Sequence, residues 1–334
     1  MGKESFSDIG KMAAIDRLFE GSGFRPGEDL SFRPSDKSSI LSACKTFIEG
    51  TDFDLVYFPL KHLGYKCALA VLGELTAACA AARTLSVVFG VSSKLDFEEV
   101  RTLWNGVVTA AGEFGVKKLG LDLIPSANGL SISVAATGEI SFETATRTPA
   151  PASKDLLCVS GALGAAYLGL QVLERGKASF DRDSVQPTLE KNRMIVGAYL
   201  KPEIDPSVPE RLAGEEIYPS AGVLITRGLS DAVKRLSLKT GLGAKVYADK
   251  IPFEGNSFAL GKELDIDPVS AAMNGGDDIK LLFTIPILSY EKFHKELPTF
   301  SVIGHLALPE AGTVLVTPEG AELPLKAQGW PEEE

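Results

Sequence analysis

The sequence predicts an α/β protein of two domains, and three observations carry that reading. Through the first half, stretches with helix-spaced apolar residues alternate with β-branched runs. Over 144–153 the composition turns to Thr, Ala and Pro, the texture of a linker. The length of 334 residues suits two domains at roughly 100–200 residues each. The boundary is therefore expected near residue 150, giving units 1–150 and 151–334.

The elements follow in order. Ile9–Glu20 has helical apolar spacing, and Gly21–Lys37, rich in Gly, Pro, Ser and charge, reads as loop. Cys67–Ala82 reads as a buried helix, and TLSVVFGV (Thr84–Val91) as a strand. Asp96 then caps a helix whose third residue is Glu99, a capping-box pattern. Phe97, Val100, Leu103, Trp104 and Val107 form its apolar stripe, which reads as core. Strands are expected at Lys118–Ile124 and Leu130–Ala136, joined by the turn-rich Pro125–Gly129. Beyond the linker come a strand (Asp155–Gly161), a helix (Ala162–Gly176), a strand (Gly222–Thr226), a helix (Leu229–Lys239) and a strand (Ala244–Ala248). Strand-like pieces at Lys280–Pro286 and Phe300–Leu308, and a hairpin over Thr313–Leu325, complete the second unit.

Composition excludes several classes of function. A formal net charge of -10 argues against nucleic acid, whose binders present a basic face, and against an anionic membrane surface. Cys44, Cys67, Cys79 and Cys158 are scattered, which suggests neither a zinc site nor a disulfide framework. Met1–Ser7 runs into polar sequence without an apolar core, so the expected compartment is the cytoplasm. The apolar stretch Cys67–Ala82 is shorter than the roughly 20 residues that span a bilayer.

Read from the residues alone, the candidate sites are few. Gly275-Gly276-Asp277-Asp278 precedes a strand and reads either as an acidic loop at a site or as a solvated turn. SGALGAAYLG (Ser160–Gly169) puts glycines at a strand-to-helix junction, where N–H groups can meet a phosphate; tight packing explains them equally well. His62, His294 and His305 make no metal set, and no catalytic residue can be named.

Five longer segments carry a resemblance: YFPLKHLGYK (Tyr57–Lys66), GLSISVAATGE (Gly129–Glu139), DLLCVSGALGAAYLGLQVLER (Asp155–Arg175), NGGDDIKLLFTIP (Asn274–Pro286) and LKAQGW (Leu325–Trp330). In this order and spacing they resemble thiamine-monophosphate kinase, of the aminoimidazole-ribonucleotide-synthetase-like superfamily, over nearly the whole chain. The resemblance implies an N-terminal sheet domain that dimerises and a C-terminal α/β domain, an α+β two-domain build. It implies a cleft at the dimer interface where ATP phosphorylates thiamine monophosphate to thiamine diphosphate. The cofactors implied are Mg²⁺ and ATP if the site turns over, and otherwise none. Partners are a small-molecule phosphate ligand and a second copy of the chain, with no nucleic acid and no membrane.

Transfer between two polyphosphate-bearing molecules needs Mg²⁺, an ion that takes oxygen ligands. The resemblance places the surviving metal-binding acids at Glu28, Asp29, Glu74 and Asp122. It places ATP contacts at Leu121, Asp122, Arg147 and Thr226, and substrate contacts at Asp52, Asp277 and Trp330. The family's Thr-Thr-Asp reads Ala43-Cys44-Lys45, and its Asp-Ile-Ser-Asp-Gly-Leu reads Leu224-Ile225-Thr226-Arg227-Gly228-Leu229. Lys45, Leu224 and Arg227 thus replace family ligands, while scaffold segments are kept. Three negative charges are lost and two positive ones gained, so Mg²⁺ would be repelled where it used to be held. The remaining acids are expected to pair with Lys45 and Arg227, and a cleft of fixed cations is the hypothesis. Three functions follow as alternatives: a kinase with turnover weak or lost, an inactive binding or regulatory subunit, or the same fold with a different phosphorylated ligand.

Overall fold

The computed structural model describes residues 32–35, 38–178 and 191–331, with side chains from residue 39 onward in the first of the long segments. The helix expected over Ile9–Glu20 and most of the loop Gly21–Lys37 lie outside them. The elements form two sheets. The first holds five strands, β1 (Phe32–Ser35), β2 (Ser38–Ile48), β3 (Ala81–Val91), β4 (Lys118–Pro125) and β5 (Ser131–Ser141), in the order β1-β2-β5-β3-β4. The second holds seven: β6 (Leu156–Ser160), β7 (Ala221–Ile225), β8 (Gly243–Tyr247), β9 (Lys280–Ile285), β10 (Phe300–Ala307), β11 (Thr313–Val316) and β12 (Glu322–Pro324). Their order is β12-β11-β8-β10-β6-β9-β7.

The first sheet is antiparallel except for β3 and β4, a parallel pair. A parallel pair needs a crossover, and helix α2 (Phe97–Glu113) supplies it. Asp96 and Glu99 close the expected capping box: the Glu99 N–H donates to Asp96 at 2.8 Å and the Asp96 N–H to Glu99 at 2.9 Å. On the stripe of this helix, Leu103 and Val107 are fully buried and Trp104 packs edge-on against Phe89. Phe97, by contrast, is 74% exposed in the first turn, where the helix has not yet reached the sheet.

Helix α1 spans Leu60–Ala77 rather than Cys67–Ala82. Its start is set by Pro59, which suits a helix entry, and its end by Cys79, whose backbone sits at φ 54° before β3 begins. It is buried nearly all round from Leu63 onward, as the apolar run Cys67–Leu72 demands. One face lies on the first sheet and α2, and the other meets β7 and β9 of the second sheet. The large core cluster accordingly runs continuously from Leu69 and Leu72 to Leu224 and Phe283.

One face of the first sheet is covered by these helices. The other carries Cys44, Thr46, Ser86, Ala135 and Asp122, all exposed. Among the described residues no helix is long and apolar enough to cross a membrane.

Candidate functional site

A cleft of about 990 Å³ opens where the two sheets meet. Its walls come from the turn after β2, the start of α1, the loop after β7 and the Gly-Gly-Asp-Asp loop before β9. Helix α4 (Ala165–Ala178) adds Leu170, Glu174 and Lys177, and helix α5 (Arg193–Leu200) adds Tyr199.

The turn after β2 is closed by its own polar groups. The Ile48 N–H donates to Asp52 Oδ2 at 2.8 Å and the Gly50 N–H to the Phe53 carbonyl at 2.8 Å. Asp54 pairs with Lys177, and the Tyr57 hydroxyl donates to Glu174 at 2.6 Å. Desolvation and the neighbouring Glu174 push the Tyr57 phenol well above its ordinary range, so it stays protonated.

The Gly-Gly-Asp-Asp loop is held in strained backbone. Gly276, Asp277 and Ile279 have φ of 82°, 64° and 45°, and a β-branched residue in this region is a genuine outlier. Three hydrogen bonds hold the loop. The Asp277 N–H donates to the Thr226 carbonyl at 2.9 Å, joining it to the end of β7. Asp278 is buried and accepts the N–H groups of Gly164 (2.8 Å) and Ala166 (3.2 Å) at the start of α4. The glycine junction that could have met a phosphate thus spends these N–H groups on Asp278. Burial pushes the Asp278 carboxyl up to about 7, against the opposing pull of those two hydrogen bonds.

At the junction of the sheets, Lys45 Nζ lies 3.4 Å from Glu74 Oε1 and donates to Thr226 Oγ1 at 3.1 Å. Lys45 is on β2, Glu74 on α1 and Thr226 at the end of β7, so one ammonium links three elements. Burial is the main force lowering the Lys45 pKa; Glu74 opposes it, while Arg235 and Arg227 add to it. Arg227 lines the cleft, is exposed, and makes no ion pair or hydrogen bond among the described residues. Leu224 is fully buried, its methyls packed against Gly73 on α1.

The other expected site residues fall in different places. Asp52 and Asp277 line the cleft, as does Thr226. Glu28 and Asp29 lie outside the described residues. Lys45, Val134, Val87 and Leu121 are aligned across the sheet and share a face, so the next residue, Asp122, points to the opposite one. There it is exposed, and its carboxylate accepts the Leu123 N–H. It therefore pairs with neither Lys45 nor Arg227. Arg147 stands on the surface, paired with Glu143 and Glu216, and is not among the cleft residues. Trp330 is half-buried on α7 (Leu229–Thr240), its indole N–H donating to Asp231 at 3.0 Å, and its neighbours Gln328 and Gly329 line the cleft instead.

These positions do not fit a Mg²⁺ site among the described residues. Such an ion takes several carboxylates at once, whereas Glu74 is engaged by an ammonium and Asp122 lies across the sheet. No group of three candidate ligand side chains is assembled among the described residues. Sequence reasoning missed Lys66, Tyr57, Glu174 and Tyr199. Tyr57 and Lys66 stand at the two ends of one segment, but Glu174 and Tyr199 come from far along the chain, and no spacing signal joins the four.

Comparison with known proteins gives the relatives of this architecture. Residues 27–140 match the family described as AIR synthase related protein, N-terminal domain. A thiamine-monophosphate kinase of Methanospirillum hungatei is 26% identical over 299 residues, 87% of this chain and 91% of that protein. One of Bacillus subtilis is 20% identical over 290 residues, 85% of each. The solved structure of AaThiL complexed with AMPPCP and TMP superposes with a TM-score of 0.80 at 20% identity, covering 99% of both chains.

Proposed function

We propose that this chain, a relative of the thiamine-monophosphate kinases with an AIR-synthase-related N-terminal domain, binds a phosphorylated small molecule in its cleft on fixed cations, with kinase turnover weak or lost. The observation that carries this is Lys45, which stands behind the cleft wall and is tied to its Thr226, the ammonium sitting between Glu74 and Thr226 where the family resemblance puts a metal-binding aspartate. A half-buried, pre-oriented cation stabilises a phosphate without an ion to recruit, and the exposed guanidinium of Arg227 can grip phosphate oxygens bidentately. Two fixed single charges do not replace several divalent ions around a transferring phosphoryl group, whose stabilisation is worth several kcal/mol.

The other end of the cleft suits a cationic heteroaromatic ring. Phe53, Tyr57, Phe58 and Tyr199 supply aromatic surface, and Asp52 and Glu174 supply negative charge beyond that which Lys177 and Lys66 balance at Asp54 and Asp277. Thiamine monophosphate, with a thiazolium ring and a phosphate, matches both ends. The proposal therefore keeps the family's substrate as ligand and removes the metal from its recognition.

The test is product formation. With thiamine monophosphate, ATP and Mg²⁺, thiamine diphosphate is expected to form at least about 1,000-fold more slowly than with the Bacillus subtilis relative, the rate cost of roughly 4 kcal/mol of lost transition-state stabilisation. Turnover within tenfold of that relative would overturn the loss of activity.

The exposed face of the first sheet, with Cys44, Thr46 and Ala135 at its centre, is where we propose that a second copy docks. Sedimentation is expected to give a particle of twice the 35.5 kDa chain mass. Thr46→Arg, which adds a bulky charge to that face, should return it to one chain mass, and an unchanged dimer in that variant would place the interface elsewhere.

A further inference from the structure

Among the described residues, Lys66 is a buried charged group that the proposed function does not use. It lies on α1, faces the cleft, and its side chain is 5% exposed. Its Nζ makes no hydrogen bond of good geometry and stands among the buried polar atoms without a partner. What surrounds it balances the charge but does not satisfy the donors. Asp277 Oδ1 is 3.5 Å away, and the ring of Tyr199 lies under the ammonium at 3.7 Å from its centroid, with Phe58 at 5.3 Å.

An ammonium so placed has its charge compensated by one carboxylate and two aromatic faces, while N–H groups remain open. A buried donor left unpaired is costly, so such a group persists where something bound supplies the acceptor. The strained Asp277 and Ile279 backbone beside it points the same way, because strain of this kind collects at ligand clamps. The aromatic surroundings and balanced charge favour a neutral acceptor on a flat ring over an anionic oxygen. The anion already has Lys45 and Arg227.

We infer that Lys66 is a specificity-determining residue that donates a hydrogen bond to a ring-nitrogen acceptor on the heteroaromatic part of the ligand, the part that stacks among Tyr57, Phe58 and Tyr199. This rests on the proposed ligand class. In thiamine monophosphate the acceptor is a nitrogen of the aminopyrimidine ring. Asp277, bonded through its N–H to the Thr226 carbonyl, then links recognition of the ring to the strand end that carries Lys45's partner.

The experiment measures ligand-induced thermal stabilisation of the full chain and of Lys66→Met with three probes: thiamine monophosphate, thiamine and orthophosphate. Met keeps the apolar stem and removes the donors, and Asp277, 38% exposed, keeps its hydration. Without ligand, Lys66→Met is expected to melt no lower than the parent, since it removes a buried ammonium that has no hydrogen bond to lose and leaves the Asp277 carboxylate in contact with solvent. Affinity for thiamine and for thiamine monophosphate should fall at least about tenfold in it, the loss of one charge-assisted hydrogen bond, while the orthophosphate response stays unchanged. Lys66→Gln, which keeps N–H donors but no charge, serves equally if the Met variant does not fold, with the same losses in weaker form. Unchanged thiamine affinity in either variant overturns the assignment alone, and so does a loss confined to phosphate-bearing probes. A parent chain that none of the three probes stabilises overturns both this assignment and the ligand class.

Discussion

Replacing Gly64 or Gly106 by Ala is expected to destabilise the protein by about 3 kcal/mol each, the upper range for overpacking a tight contact. The two residues lie where α1 and α2 cross. A Cβ on Gly64 would stand 2.0 Å from the Leu103 carbonyl oxygen, and one on Gly106 would stand 2.0 Å from that of Lys61. Both obstacles are backbone, so no side chain can swing aside and the helices must separate. Separation loosens a contact between two helices that cover one face of the first sheet and fix the start of α1 at the cleft. Gly112, later on α2, is the control, because a Cβ there meets nothing within 4 Å. Gly112→Ala should be neutral or stabilising by about 0.5 kcal/mol, since Ala loses less backbone freedom in a helix. Urea denaturation of the three variants decides it. A loss below about 1 kcal/mol at Gly64 and Gly106 would contradict the close crossing.

The second large effect is expected at Lys45. Lys45→Asp puts back the residue type that the family resemblance places there and sets two carboxylates against each other beside Thr226. In metal-free buffer the variant should lose about 2 kcal/mol, less than the 3–5 kcal/mol of a fully buried pair because a quarter of each side chain is exposed. Added Mg²⁺ should recover most of that loss in the variant and change the parent little. The reason is linkage: an ion that binds only the folded variant stabilises it in proportion to its occupancy. A parent chain stabilised by Mg²⁺ as strongly as the variant would show that Lys45 does not stand in for the ion.

How far the sequence revealed this molecule depended on how local each signal was. The Asp96–Glu99 capping box and most of the strand Ala81–Val91, expected from Thr84, were legible because short-range hydrogen bonds and a run of β-branched residues set them. The start of α1 was misjudged, because Leu60–Lys66 mixes charge with apolar residues and only tertiary packing buries Lys66. In the candidate site, the pairing of Lys45 with Glu74 followed from charge alone. The position of Asp122 did not, because a side chain's face is fixed by strand register, and a shift of one residue reverses it. Trp330 was expected against the ligand, yet its indole N–H has a partner on Asp231, which only the path of the C-terminal segment could supply. Lys66 stood inside a segment that matched the family well, but its role depends on Tyr199 and Asp277, brought in by α5 and a distant loop.

The central claim is that a fixed ammonium has taken the place of a metal ion in a cleft that still holds the ligand. Calorimetric titration of thiamine monophosphate into the unmodified chain, in EDTA and again in Mg²⁺, tests it most directly. The account predicts binding in both buffers with affinities within about threefold, and in Lys45→Asp binding in Mg²⁺ alone, the gap for that variant exceeding about tenfold or 1.4 kcal/mol. Binding by the unmodified chain that disappears in EDTA would contradict it.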